Sequence, residues 1–235
     1  MAGITILTIT AMVGILGSAA YVSPWFWRYF RMNRIQRKLE KERILVLTYD
    51  DGPSPLVTAP LLELLHRRGV RATFFMLGCH AQRYPQLVDE VVKGGHDVAC
   101  HSDRHVNALK SMPWTAAADI SGGYRSLSPW IPSNAMYRPP FGKMTLPTYF
   151  SIRQRRAPVW WWTIDSGDTH SMLPSVEDVV QMVRERAGGI VLMHDGSMNE
   201  RQQYRSDFVV KLTEALLDLA DRDSLRIAPL RDLAL

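Results

Sequence analysis

Short apolar segments alternate with longer amphipathic segments from residue 44 to the end of the chain. The apolar segments are rich in β-branched and aromatic residues, as buried strands are, and they lie at 44–49, 73–77, 97–100, 135–137, 159–164, 190–193 and 225–228. Helical spacing of apolar residues occurs near 58–68, 81–94, 114–128, 175–187 and 204–221. Strands that alternate with helices predict an α/β fold with a mainly parallel sheet.

About seven strand–helix units favour a closed or nearly closed (β/α) barrel, and a doubly wound open sheet is the alternative. Polar residues that can perform chemistry directly follow five of the predicted strands: Asp50 and Asp51, His101 and His105, Arg138, Asp165 and Asp168, and His194. In a parallel barrel the carboxyl ends of the strands share one face, and that face carries the chemistry. We therefore expect these side chains to converge.

The first 27 residues contain no charged side chain and are long enough to span a bilayer. Aromatic residues cluster at the far end of this segment, as at a membrane interface: Tyr21, Trp25, Trp27, Tyr29 and Phe30. The pattern predicts an N-terminal transmembrane anchor over residues 1–27. A cleaved signal peptide fits less well because no Lys or Arg precedes the apolar stretch, and a buried helix of the main domain is the other alternative.

The net charge of +5 resides in residues 28–43, which hold seven Lys or Arg and two Glu. We interpret 28–43 as a basic juxtamembrane segment and 44–235 as the main domain. Because the remainder of the chain is neutral, the sequence predicts no nucleic-acid partner. The positive-inside rule places the domain on the cytoplasmic side, where the basic segment could contact anionic lipids, and an extracytoplasmic domain stays the alternative.

The two cysteines, Cys79 and Cys100, are too few for a disulfide framework. One bridge between them is an alternative, but two buried free thiols are the simpler interpretation. The chain contains no Walker-type loop, no GxGxxG and no HExxH. These absences argue against the nucleotide-binding and metalloprotease classes that the three motifs mark.

Two adjacent carboxylates, Asp50 and Asp51, end the first predicted strand in the segment ILVLTYDDGPSP. Burying like charges this close is costly unless a cation lies between them. His101 and His105 are four residues apart, so on a helical turn both imidazoles would face one metal, with Asp103 pointing elsewhere. Two histidines and one carboxylate are a common catalytic zinc set, which predicts a site for one divalent metal ion.

Five ordered segments resemble the motifs of the polysaccharide deacetylase family, also called the NodB-homology family or carbohydrate esterase family 4. They are TYDDGP at 48–53, HSDRH at 101–105, RPPFG at 138–142, WTIDSGDT at 162–169 and LMH at 192–194. The resemblance covers about residues 44–235. It implies a partly irregular (β/α) barrel and a metal-dependent hydrolase that removes the N-acetyl, or a similar N-acyl, group from an amino sugar.

The resemblance also implies roles for the residues near the first motif. Asp51, His101 and His105 match the metal ligands of the family, with zinc the expected ion. Asp50 matches the general base that takes a proton from the attacking water. Arg138 matches the residue that orients this base.

A second group of roles concerns the leaving amine and the acyl group. His194 matches the general acid that protonates the departing amine, and Asp168 matches the carboxylate paired with it. The backbone N–H of Phe141 would bind the oxyanion. Trp162 and Leu192 match the apolar walls of the acyl pocket.

Two positions depart from the family pattern. Phe141 stands where the family often has Tyr, and Thr169, followed by His170, stands where it has Trp. The second departure concerns substrate contacts rather than the hydrolytic machinery, and we expect His170 on an exposed loop. His66, His80 and His96 are expected at surface or capping positions. For Asp165, a structural role and a catalytic role both stay open.

The anchor and its orientation suggest a membrane-borne substrate such as a polyprenyl-phosphate-linked sugar. Two alternatives keep the chemistry: an extracytoplasmic deacetylase of peptidoglycan or exopolysaccharide, and a deformylase of a polyprenyl-phosphate-linked formamido sugar. A non-catalytic glycan-binding protein is the alternative from another class. An intact acid–base set argues against the last of these, because binding alone requires no acid and no base.

Overall fold

The structure, a computed structural model, describes residues 26–196 and 203–233 of the chain. In chain order the helices and strands are α1 (26–42), β1 (Ile44–Asp50), α2 (Thr58–Arg67), β2 (Thr73–Met76), α3 (Gly78–Arg83), α4 (Pro85–Lys93), β3 (Asp97–Cys100), α5 (Pro113–Ser126), α6 (Leu146–Gln154), β4 (Ile164–Asp165), α7 (Val176–Glu185), β5 (Gly189–His194), α8 (Gln203–Asp223) and β6 (Arg226–Ile227). Short 3₁₀ helices lie at Pro140–Gly142 and Leu230–Asp232.

The named strands pair in parallel, which confirms the predicted parallel α/β fold. Their order is β3-β2-β1-β5-β4, and β6 also pairs with β1. Isolated bridges join Cys100 to Tyr137 and Tyr137 to Val159, and the chain runs on from Val159 into β4. The two bridges and this stretch of chain therefore connect β3 to β4, so the sheet is nearly closed.

The strands expected at 135–137 and 159–164 are shorter than the pattern predicted. The first is reduced to one bridge at Tyr137, and the second to a bridge at Val159 and the two residues of β4. Prolines flank both bridges, at Pro139 and Pro158. Because proline lacks the N–H that a ladder needs, it limits how far either strand can pair.

Strand β1 lies at the middle of the sheet, and all seven of its residues are buried. A continuous apolar run of this kind is typical of a parallel strand covered on both faces. In the ladder between β1 and β5, Asp50 lies opposite His194. The register therefore places a carboxylate and an imidazole side by side at the carboxyl end of the sheet.

Helix α7 shows how the surrounding helices are encoded. The Ser175 side chain accepts the backbone N–H of Asp178 and caps the first turn, where the acidic Glu177 and Asp178 suit the positive end of the helix dipole. Val179 and Val183, four residues apart, are buried against the core. The end of α7 leads through Gly188 and Gly189 into β5.

Helix α1 packs one face on the rest of the molecule. Met32, Ile35 and Leu39 lie on that face at helical spacing and are buried in the hydrophobic core. The basic segment predicted at 28–43 is thus mostly helical, and it contributes apolar side chains to the core. The boundary at residue 44 stays a prediction.

The predicted anchor over residues 1–27 lies outside the described residues, apart from its last two. Within 26–196 and 203–233, no helix combines the length and the apolar character needed to cross a bilayer.

Both cysteines are free thiols, as the simpler interpretation predicted, but only Cys100 is buried, and the expectation of burial was wrong for the partly exposed Cys79. Cys100 is fully buried at the end of β3, and burial raises the pKa of its thiol to about 12. A thiol with so high a pKa stays protonated at neutral pH, so Cys100 acts as a small apolar side chain.

Candidate active site

The carboxylate that ends β1 is buried against a guanidinium group. Asp50 Oδ1 accepts a hydrogen bond from Arg138 Nη1 at 2.7 Å, and the two side chains are only 3% and 0% exposed. Arg138 also donates to Thr48 Oγ1 at 2.8 Å and to the Trp161 carbonyl at 3.3 Å, and its Cζ lies 4.0 Å from the Phe75 ring centroid. These contacts fix the orientation of the carboxylate and compensate its charge.

Asp51, His101 and His105 each offer one ligand atom, and these atoms lie within 4.8 Å of one another. Nε2 of His101 is 3.4 Å and Nε2 of His105 is 3.2 Å from Asp51 Oδ1. That oxygen is buried and has no hydrogen-bond partner among the described residues. An orphaned carboxylate oxygen beside two imidazole nitrogens fits a divalent cation, and this set has the composition of a catalytic zinc site.

The two histidines reach this arrangement from a loop, so the prediction of a helical turn was wrong. Residues 101–105 contain no helix, and Ser102 and His105 have positive φ angles of 72° and 61°. Nδ1 of His101 lies 2.7 Å from the Arg138 carbonyl oxygen. With Nδ1–H donating to this carbonyl, the ring is fixed in one tautomer and the lone pair of Nε2 is left for a metal ion.

Two side chains that the sequence reasoning missed hold this region in place. Asp119 of α5 accepts the backbone N–H groups of Arg104 and Val106 at 2.8 and 3.0 Å. Nδ1 of His80, a residue expected only at a surface or capping position, lies 2.7 Å from the Asp51 carbonyl oxygen. Asp119 could have been found from the sequence, because it is a carboxylate on the face of a predicted helix that should be buried.

Asp195 is a third missed residue, and it is completely buried behind the first motif. Its backbone N–H donates to the Asp50 carbonyl at 3.0 Å, and its carboxylate accepts the Thr58 hydroxyl at 2.6 Å. Burial raises the pKa of Asp195 to about 7. The residue ties the loop after β1 to the end of β5, and nothing in the sequence distinguishes it from a surface carboxylate.

His194 ends β5 beside Asp50 and is paired with a second buried carboxylate. Asp168 Oδ1 lies 2.9 Å from Nδ1 of His194, and Asp168 Oδ2 accepts the backbone N–H of His194 at 2.7 Å. Burial alone would lower the pKa of His194, but the Asp168 carboxylate raises it to about 10. The imidazole is therefore protonated at neutral pH, and its Nε2–H is left for a substrate.

Neighbouring groups also shift the pKa values of the three side chains that could hold a metal. Burial acts to lower the pKa of His101, but the carboxylates of Asp50 and Asp51 raise it. Burial alone would raise the pKa of Asp51, but the imidazoles of His101, His194 and His105 hold it well below its usual range. Burial lowers the pKa of His105, which favours the neutral form that coordinates metals. Asp51 is thus an ionised carboxylate, as a metal ligand must be.

The three predicted substrate contacts lie around the same centre. Leu192 is buried and precedes the paired histidine by two residues on β5, so both side chains point to one face. The ring centroid of Trp162 is 5.9 Å from Arg138 Cζ. Phe141 is 52% exposed, has a φ angle of 56°, and places its ring 4.3 Å from that of His105.

The remaining candidate residues lie outside this cluster. Asp103 turns away and accepts the Ser126 hydroxyl at 2.9 Å, as expected. Asp165 is exposed and accepts a backbone N–H two residues later, which supports its structural role, and His170 is exposed as expected. The expectation for His96 was wrong, because it is buried and accepts a backbone N–H at 3.1 Å.

Comparisons with known proteins agree with this geometry. A family model described as polysaccharide deacetylase matches residues 37–155. A peptidoglycan-N-acetylglucosamine deacetylase of Bacillus cereus is 36% identical over 166 residues, which are 69% of this chain and 76% of its own length. A chitooligosaccharide deacetylase of Bradyrhizobium sp. is 31% identical over 172 residues, which are 71% of this chain and 77% of its own length.

A solved structure shares the fold as well. The family 4 carbohydrate esterase from Streptomyces lividans, in complex with acetate, matches with a TM-score of 0.61 at 26% identity. The match covers 79% of this chain and 91% of that one.

Proposed function

The chain belongs to the polysaccharide deacetylase family of hydrolases, and from that premise we propose that it hydrolyses the N-acetyl amide of an amino sugar within a glycan. The observation that carries the proposal is the meeting of two buried pairs, Asp50–Arg138 and Asp168–His194, beside three metal-ligating side chains. The first pair suits a general base and the second a general acid. A glycan-binding protein would need neither.

Asp50 is the general base in this proposal. Arg138 holds its carboxylate in one orientation, from which it takes the proton of the attacking water. A divalent metal ion held by Asp51, His101 and His105 would supply Lewis-acid polarisation and a lowered pKa for water. The ligand types favour zinc.

His194 is the general acid. An amine leaves poorly as an anion, so the imidazolium must donate its Nε2 proton to the departing nitrogen. Asp168 keeps the ring charged and oriented. The backbone N–H of Phe141 would bind the oxyanion, and Trp162 and Leu192 would form the walls of the acyl pocket.

The substrate and its location form the finer part of the proposal. N-Acetylglucosamine polymers are the first class to consider, because two relatives are named for peptidoglycan and chito-oligosaccharide. The uncharged residues 1–27 and the basic segment after them support a membrane anchor with a cytoplasmic domain. That arrangement favours a lipid-linked amino sugar, with the N-formylated form as the close variant.

Acyl release from a panel of substrates tests the function. The panel contains chito-oligosaccharides, peptidoglycan, and polyprenyl-phosphate-linked sugars carrying N-acetyl or N-formyl groups. We expect the zinc-loaded protein to release acetate or formate from at least one class, to lose this activity after chelation, and to regain it with zinc. Activity that persists after complete removal of the metal, or no acyl release from any class, would contradict the proposal.

The Asp168→Asn variant is expected to lose the alkaline part of the pH profile of kcat/KM. Burial acts to lower the pKa of His194, and the Asp168 charge raises it to about 10. Without that charge the pKa should fall by about 1–3 units, and the alkaline limb should move with it. The measurement is kcat/KM against pH, with Asp165→Asn as the matched control because Asp165 is exposed.

The same pair links stability to pH. Because folding raises the pKa of His194, its stabilisation is complete below the ordinary histidine pKa of about 6.5. The stabilisation is lost as the pH rises through about 10. Denaturation of wild type and Asp168→Asn should therefore differ most just below pH 6.5, and the difference should shrink steadily as the pH rises toward 10. A difference that does not shrink with rising pH would show that the pair does not set the pKa of His194.

A further inference from the structure

A groove of about 330 Å³ lies between α1 and the chain segment that leads into β4. Its lining includes two guanidinium groups, Arg28 and Arg186, two amides, Asn33 and Gln36, and the indole of Trp162. No carboxylate lines the groove in the described part of the chain. Nε2 of Gln36 already donates to the Arg186 and Gly188 carbonyls at 3.4 and 3.1 Å. The two guanidinium groups make the groove positive in charge, and Asn33 adds an amide.

Arg28 brings this groove next to the reaction centre. Its Nη1 donates to the Gly142 carbonyl at 3.2 Å, and its Cζ lies 4.5 Å from the Trp162 ring centroid. The Cζ of Arg138, which orients the proposed base, lies 5.9 Å from the same ring. One indole thus borders both the groove and the acyl pocket.

The positive charge of the groove is only partly compensated by nearby carboxylates. Within 26–196 and 203–233, neither Arg28 nor Arg186 forms an ion pair with a carboxylate within 4.0 Å. Burial, and then the charge of Arg138, lower the pKa of Arg28 to about 10, and the charge of Asp165 offsets only part of this effect. A partly buried cation with incomplete compensation is costly, and a bound anion would offset that cost.

We propose that the groove binds a phosphate ester group, supplied by the sugar substrate or by the headgroup of a neighbouring lipid. A carboxylate has only two oxygens, which one guanidinium can satisfy. A phosphate ester offers more acceptor oxygens and matches two guanidinium groups. The inference rests on the proposed function, because a phosphate in the groove would belong to the substrate only if the neighbouring pocket, which shares Trp162, binds the acyl group.

The test compares kcat/KM for di-N-acetylchitobiose and its 1-phosphate. We expect wild type to prefer the phosphorylated sugar by about tenfold or more, as charge-assisted hydrogen bonds would give. In Arg186→Gln and in Arg28→Gln the ratio of the two values should fall toward one. Arg184→Gln is the matched control, since Arg184 lies on α7 and pairs with Asp223 at 3.1 Å outside the groove, and it should keep the wild-type ratio.

Two results would overturn the proposal: no preference in wild type, or a preference that survives both groove substitutions. The second would place the phosphate elsewhere, for example on the metal. If neither sugar is hydrolysed, the proposed function fails, but calorimetric Kd values for the 1-phosphate still test the groove. They must then weaken in the Arg186→Gln and Arg28→Gln variants and stay unchanged in Arg184→Gln.

A third comparison identifies the source of the phosphate. The kinetic ratio is measured again with vesicles of phosphatidylglycerol or of phosphatidylcholine. Insertion of apolar side chains of the protein into the bilayer would occur with both vesicle types, so it cannot cause a difference between the two kinetic ratios. Loss of the preference with phosphatidylglycerol alone identifies the lipid headgroup as the ligand, and a preference kept in both identifies the phosphate of the substrate.

Discussion

Asp50→Asn is expected to lower kcat for acyl release by about 10²–10⁴-fold, the usual contribution of a positioned general base. The amide has the shape of the carboxylate, and its oxygen can still accept the hydrogen bond from Arg138 Nη1, now 2.7 Å long. It cannot take a proton from water. The metal ligands Asp51, His101 and His105 are unchanged, so zinc content should stay close to that of wild type.

The measurement is kcat at saturating substrate, together with metal analysis and the melting temperature of the same samples. Asp165→Asn is the matched control, because it removes an exposed carboxylate from a neighbouring strand end. A kcat for Asp50→Asn within a few-fold of wild type, with zinc still bound, would exclude Asp50 as the base.

Arg138→Met is expected to lower the free energy of unfolding by about 3–5 kcal/mol, because it leaves a buried charge without its partner. The wild-type guanidinium is fully buried and serves Asp50, Thr48 and the Trp161 carbonyl. Methionine fills a similar volume but donates no hydrogen bond. Chemical denaturation measures the loss, and activity should fall as well because the base loses its orientation.

The double variant Arg138→Met with Asp50→Asn separates charge from packing. Since the amide at position 50 carries no charge, we expect the double variant to recover part of the unfolding free energy that Arg138→Met alone removes. Arg153→Met is the matched control, because Arg153 is exposed on α6 and should change stability little. Equal losses in the single and double variants would show that packing, not the carboxylate, causes the effect.

The convergence of the site was predictable because it follows from a general property of parallel sheets. Asp50 and His194 end two strands, and parallel strands have their carboxyl ends at one edge. The sequence also marked the Asp168–His194 pair through its motifs. The positions of these residues depend on strand direction and register, which alternating apolar segments encode.

The local shape of the 101–105 loop was not predictable in the same way. A spacing of four suits a helical turn, and nothing in HSDRH excludes it. The loop instead depends on Asp119, which lies on α5 and binds two of its backbone N–H groups. A tertiary contact of this kind leaves no periodic signal.

Helix α1 shows a different reason for an incomplete prediction. The charges of residues 28–43 dominated the interpretation of that segment as a juxtamembrane element. Its apolar positions, Met32, Ile35 and Leu39, follow the helical period and were visible in the sequence. What the pattern could not supply was the surface on which they pack.

The proton-transfer residues and the two histidines of the proposed metal site are held by different parts of the fold. Asp50 and His194, the proposed base and acid, lie opposite each other on the β1–β5 ladder, whereas His101 and His105 lie on a loop. Redesign of the loop could therefore change metal preference or exchange rate while the separation of the two proton-transfer groups stays constant. For directed evolution, we expect the two loop ligands to be variable while Asp51, next to Asp50 at the end of β1, stays fixed with the acid–base geometry.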